Sequence, residues 1–160
     1  MTQPAALSAA DGRQWLRLRQ LRVQRARTAL LAAQQQVRDA QAAIAAREAS
    51  IQGHRERLDA LARHWGGAGS VDMPRWGQQL QAHRDSVAER LERDEYALMD
   101  EQEALATAQT LLAERRAELA RAEARESAVD ATLKDQRRQL LLAREQVAEL
   151  EAEDACRPLH

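Results

Sequence analysis

Apolar residues recur along this chain every seven positions, in two runs separated by a glycine-rich break. In the first run Leu16, Val23, Leu30, Val37, Ile44, Ile51 and Leu58 hold strict phase through successive heptads. A seven-residue period keeps one helical face turned towards a partner and specifies a left-handed supercoil. Three residues further along each heptad stand Arg19, Ala26, Ala33, Ala40, Arg47, His54 and Leu61, so the second seam position is mostly small or polar. The second run reads Leu91, Leu98, Leu105, Leu112, Leu119, Glu126, Leu133, Leu140 and Val147. Its companions are Leu80, Val87, Asp94, Glu101, Ala108, Arg115, Ala122, Val129, Gln136, Ala143 and Leu150.

Between the runs, residues 65–74 hold three of the six glycines and the only proline between Pro4 and Pro158. Glycine removes the steric bar to the positive φ angles that a tight reversal needs. The pattern predicts an all-α fold in which two long helices form an antiparallel coiled-coil hairpin, one domain over residues 1–160. Helix one is expected over about 8–64, the tip over 65–73 and helix two over about 74–155. Ser8 and Asp11 make a helix-starting box after a frayed segment of residues 1–7. Asp72 is placed to cap helix two, with Pro74 tolerated in its first turn, and Arg157-Pro158 stops it.

The hairpin carries its own register test, because facing residues of an antiparallel pair have numbers with a constant sum. A reversal centred on Gly69 gives a sum of 138, setting Leu58 against Leu80, Ile51 against Val87, Leu30 against Ala108 and Leu16 against Ala122. On the other seam Ala40, Ala33 and Ala26 face Leu98, Leu105 and Leu112, and Gly77 makes room for Leu61. Ile44 against Asp94 and Val37 against Glu101 fit poorly, so the middle is expected to be weak or those carboxylates to lean outward. At a rise of about 1.5 Å per residue helix one spans about 85 Å and helix two about 120 Å. Helix two therefore overhangs from about residue 132, with an apolar stripe of Leu133, Leu140, Val147 and Leu150 broadened by Leu141 and Leu142. A lone helix of that kind is marginal in water and expects a partner or the N-terminal segment against it.

Composition narrows the picture to helices and little else. The chain has no Phe, one Tyr and three Trp, and alanine supplies most of its apolar quota. Such side chains suit a narrow seam between close helices rather than a thick core, and 31% charge with abundant Ala, Leu, Arg, Glu and Gln is the composition of a coiled coil. A net charge of −1 argues against a general attraction to nucleic acid or anionic membrane. Its distribution is uneven: residues 1–64 carry 11 Arg against 5 acids, so the basic excess sits on helix one. Neither a secretory leader nor an apolar run of spanning length occurs, which predicts a soluble, cytoplasmic protein without membrane insertion. Cys156 has no partner cysteine and reads as an adventitious thiol.

Candidate chemistry is sparse. No phosphate loop, no nucleophile with a base and no metal-ligand spacing occurs, and His54, His64, His83 and His160 are scattered. The expectation is a non-enzymatic protein with no cofactor. Three features rise above a solvated helical face. Trp65, Met73 and Trp76 bracket the tip in a chain almost without aromatics, either stapling the loop or forming a hydrophobic hot spot, with Leu80 and His83 beside them. Arg13, Arg17, Arg19, Arg22, Arg25 and Arg27 crowd the start of helix one, opposite Arg115, Arg116, Arg121 and Arg125, a basic end suited to acidic protein loops. The third feature is the overhanging stripe itself.

A hairpin of this length, opening with Leu16-x-Leu18-x-x-Leu21-Arg22-x-x-x-x-Arg27 and closing on a long heptad helix, resembles the stalk proteins of bacterial type III secretion. These are the flagellar FliJ family and its injectisome counterpart, the YscO/HrpO type. The resemblance covers essentially the whole chain and rests on length, layout and charge placement rather than on a diagnostic motif. It implies a central stalk that couples a hexameric export ATPase to the cytoplasmic ring of the export gate by biasing subunit conformations, and that handles export chaperones. It implies a cytoplasmic location at the inner-membrane export apparatus. The end bearing both termini would face the ATPase, with Arg13, Arg17, Arg22, Arg25, Arg27, Arg115, Arg116, Arg121, Arg125, Leu133, Leu140 and Val147 as contact residues. Trp65, Met73, Trp76, Leu80 and His83 would face the gate. The alternative is a coiled-coil scaffold or adaptor, monomeric or dimeric, unrelated to secretion. Nucleic-acid binding through the helix-one arginines is a weaker third reading, because no stacking aromatics accompany them.

Overall fold

The computed structural model describes residues 9–66 and 73–155, all of them helical, as α1 (Ala9–Gly66) and α2 (Met73–Ala155). The heptad runs thus form the two long helices expected of them, and α1 continues through Trp65 to Gly66, so the first tip tryptophan belongs to the last helical turn. Asp11 lies in the first turn of α1 and Arg63 in its last, each with the sign that complements the helix dipole. Pro74 falls in the first turn of α2, where its missing N–H removes no intrahelical bond. The reversal over 67–72, with the capping roles of Ser8 and Asp72 and the tail holding Cys156, lies outside the described residues.

Contacts group the chain into two units. One joins Met1–Leu30 with Arg115–His160; the other is Leu31–Glu114. In each, a segment of α1 packs antiparallel on a segment of α2, as the partners Arg27–Glu123 and Gly12–Leu133 show in the first unit and Arg47–Glu101 and Arg55–Glu95 in the second. Every seam position read from the α1 heptads is buried or half-buried, as is every one on α2 from Leu80 to Gln136. Two helices enclose only a single file of side chains. Val23, Ala33, Ile51 and Val87 are the buried apolar residues, and none of the larger described side chains is completely enclosed.

The register differs from the one centred on Gly69. Gly12 and Leu133 have numbers adding to 145, one heptad above 138, and Ser50 with Asp94 agrees to within one residue. A full-heptad slip returns every seam residue to a seam position, so the apolar pattern fits both registers equally well. Polar residues decide between them. In the observed register Asp94 comes within reach of Arg47, Ser50 and His54, and Glu101 within reach of Arg47. The carboxylates expected to weaken the middle are therefore partnered. Gly77 does not serve to admit Leu61, since a Cβ built on it would meet nothing within 4 Å.

At the other end of α2, every residue with a described side chain from Arg137 to Glu153 is exposed. This is the expected C-terminal overhang, but it begins at Arg137 rather than near residue 132, because Leu133 packs against Gly12; from there α2 continues past the last α1 residue available to face it among the described residues. Among the described residues no helix is long and apolar enough to cross a membrane.

Candidate partner-binding sites

In the first unit the start of α1 and the middle of α2 converge on a cleft of about 290 Å³ lined by Arg19, Arg22, Glu118, Arg121, Ala122 and Arg125. Arg19 occupies a seam position, and the adjacent turn holds it: its guanidinium lies 5.5 Å from the centre of the Trp15 ring. Arg22 is one turn further along α1, while Arg121 and Arg125 are one turn apart on α2 and so share a face. The cleft's one carboxylate, Glu118, is engaged by Arg115, with Nη1 donating to Oε2 at 2.6 Å. Arg22, Arg121 and Arg125 make no ion pair among the described residues. The result is a positive groove whose planar donors match carboxylate or phosphate oxygens in pairs.

The other arginines expected at this end are distributed differently. Arg13, Arg17, Arg25 and Arg116 are exposed and stand outside the cleft. Arg27 donates to Glu123 at 3.0 Å, a solvated pair of little energetic weight. Leu133 lies over Gly12, where the absent Cβ permits the close approach, and it lines with Trp15 and Val129 a mainly apolar depression. Leu140 and Val147 are exposed, at 60% and 54%.

The residues expected near the tip fall in the second unit. Trp65 is half-buried, its ring 5.5 Å from the Arg84 guanidinium carbon, and its indole Nε1 is buried without a hydrogen-bond partner. Trp76 is 50% exposed, Leu80 half-buried and His83 exposed. The two tryptophans therefore differ in exposure, Trp65 being half-buried and Trp76 50% exposed. Met73 opens α2, and its side chain lies outside the described residues.

A third cluster, in the middle of the second unit, was not anticipated as a site. Arg47 donates through Nη1 to Asp94 at 2.8 Å, and through Nε and Nη2 to Glu101 Oε1 at 3.1 and 2.9 Å. The Ser50 hydroxyl donates to Asp94 Oδ2 at 2.6 Å, and His54 Nε2 lies 3.3 Å from the same oxygen. Hydrogen bonding from Ser50 above all, then from Arg47, holds the Asp94 carboxyl below its ordinary value of 3.8 against the opposing effect of desolvation. The hydrogen bonds to Glu101 and Asp94 raise the Arg47 pKa. A serine, a histidine and an aspartate in contact resemble a hydrolytic triad in composition but not in wiring. The hydroxyl donates to the carboxylate, and His54 Nδ1, which a triad aspartate would hold, is buried without a partner. The signal for this cluster was present in the seam itself, where Arg47 and His54 stand on one helix and Asp94 and Glu101 on the other.

Among the described residues no group of three or more His, Cys, Asp or Glu side chains could hold a metal ion. No family model, no curated protein and no solved structure matches this chain.

Proposed function

We propose that this chain is a non-enzymatic stalk of a bacterial type III export apparatus, flagellar or injectisome. In this role it couples a hexameric export ATPase to the cytoplasmic ring of the export gate and hands over export chaperones. The observation that carries the reading is the arginine cleft of Arg19, Arg22, Arg121 and Arg125, which lies in the unit containing both chain termini. A hairpin coupled to a ring of ATPase subunits needs a charged surface that each subunit can engage in turn, and guanidinium groups without carboxylate partners offer one to acidic loops. Trp76, exposed in the other unit, is the residue offered to the gate. The protein would then be cytoplasmic, held at the inner membrane only through its partners. The scaffold or adaptor reading is favoured by one observation, the exposed leucine stripe of the overhang.

The test is capture of a purified export ATPase by the full chain, with ATP hydrolysis measured alongside. The stalk reading expects binding and stimulated hydrolysis, and expects Arg22→Glu with Arg121→Glu and Arg125→Glu to abolish both while helicity is kept. Binding with no change in hydrolysis would move the assignment to an adaptor. No binding by the unaltered chain would remove it.

A further inference from the structure

The overhang of α2 combines an exposed apolar stripe with a segregation of charge. Leu140, Leu141, Leu142, Val147 and Leu150 are 51–62% exposed, and Leu140 and Val147 continue the heptad that is covered as far as Leu133. Residues 134–144 carry Lys134, Arg137, Arg138 and Arg144 against Asp135 alone, whereas residues 145–153 carry Glu145, Glu149, Glu151 and Glu153 and no basic residue. One half is basic and the next is acidic, with the leucine triple close to their junction.

We infer that the overhang pairs with a second copy of itself, antiparallel, to form a homodimer. A two-fold interface presents the same surface from both chains, so it must be self-complementary. Antiparallel overlap of residues 134–153 meets that condition: each basic half lies along the partner's acidic half, the helix dipoles oppose, and the leucines at 140–142 sit near the two-fold axis. Parallel overlap would set like charges side by side along the whole segment. The apolar stripe that is marginal on a lone helix becomes the seam of a short coiled coil. Less than three heptads of contact is a small interface, so the dimer forms reversibly at micromolar concentrations or above. This inference does not rest on the stalk reading, although an ATPase contact at Leu140 and Val147 would compete with it.

Sedimentation equilibrium on the full chain, from about 5 µM to about 500 µM, a range chosen for a small reversible interface, reads the association. The expected result is a mass rising from one chain towards two, abolished by Leu140→Glu with Val147→Glu. Reversing the basic half (Arg137→Glu, Arg138→Glu, Arg144→Glu) or the acidic half (Glu145→Arg, Glu149→Arg, Glu151→Arg) should abolish it as well, and mixing the two variants should restore it as a heterodimer. Orientation is read by disulfide trapping in a Cys156→Ser background. Ala143→Cys should oxidise to a covalent dimer, and Leu150→Cys should do so only when mixed with Leu140→Cys, the seam position that faces it in an antiparallel pair. A single-chain mass throughout the range would overturn the dimer and leave the stripe to a different protein. Association surviving Leu140→Glu with Val147→Glu would overturn the interface, and self-trapping of Leu150→Cys, which only a parallel pair allows, would overturn its orientation. The ATPase test depends on arginines outside this segment, so either conclusion can fail without the other.

Discussion

Arg47 Nη1 lies 2.8 Å from Asp94 Oδ1, joining seam positions of the two helices that an apolar pattern alone would have left apart. The guanidinium bridges Asp94 and Glu101, which stand seven residues apart on α2, so it lies between two successive turns of the partner seam. Moving α2 by one heptad would break one of these contacts and bring no new carboxylate to replace it. Polar groups in a coiled-coil seam commonly fix register in this way, at some cost in stability relative to an apolar pair.

Replacing the three together, Arg47→Leu with Asp94→Leu and Glu101→Leu, should therefore raise the melting temperature and loosen the register. Spin labels at Gln52→Cys and Glu92→Cys, in a Cys156→Ser background, report on both helices of the second unit. The unaltered seam should give one distance. The apolar triple should add a second population at longer distance, produced by an axial displacement of about 10 Å, the rise of one heptad. A single distance in both would mean that the connection, and not the polar cluster, sets the register.

Arg47→Leu alone should act in the opposite direction. It leaves Asp94 and Glu101 in a partly buried seam without their cationic partner, so the urea midpoint of unfolding should fall below that of both the unaltered chain and the apolar triple. A midpoint equal to that of the unaltered chain would show that the carboxylates turn outward to water at no cost.

Acid should remove part of this cluster's contribution. The folded pKa of Asp94 is depressed below the unfolded value of 3.8, so its stabilising contribution is present above that value and is lost as pH falls through the folded pKa. The difference in thermal stability between the unaltered chain and Asp94→Asn should hold constant from neutral pH down to about 4, close to the unfolded pKa, and close below it. A difference that disappears already at pH 6 would show that ionisation of Asp94 is not its source.

Much of this fold was legible because heptad phase is a property of the sequence alone. Leu16 through Leu58 and Leu91 through Leu133 turn the same face inward wherever the partner helix is placed. The register was not legible from that phase, for the same reason: Ile51 opposite Val87 and Ile51 opposite Asp94 are a heptad apart and equally in phase. What distinguishes them is a three-residue contact centred on Arg47, which spacing rules for apolar residues ignore. The arginine cleft was legible as a basic end. Its membership was not, because whether Arg22 and Arg121 meet while Arg17 and Arg116 point elsewhere depends on rotation about each helix axis.

Helix propensity should be recoverable at two glycines. Gly53 lies in the interior of α1, and neither it nor Gly77 has anything within 4 Å of a built Cβ. Gly53→Ala and Gly77→Ala should each stabilise by up to about 1 kcal/mol in urea unfolding. Gly12→Ala should fall short of that gain, because its methyl would collide with the Leu133 side chain. Equal gains at all three would mean that Leu133 moves aside freely.

The tryptophans near the tip should separate packing from presentation. Trp65 is half-buried beneath Arg84, so Trp65→Ala should cost about 2 kcal/mol, roughly half the loss typical of a fully buried aromatic. Trp65→Phe keeps a ring and removes an indole N–H that is buried without a partner, and should change stability by less than about 1 kcal/mol. Trp76 is half exposed, and Trp76→Ala should shift stability by no more than about 0.5 kcal/mol. Urea titrations followed by circular dichroism at 222 nm distinguish the three. If Trp76→Ala costs as much as Trp65→Ala, the indole at 76 serves the packing of α2. If Trp76→Ala is neutral and gate capture nevertheless falls, Trp76 acts through contact with the partner.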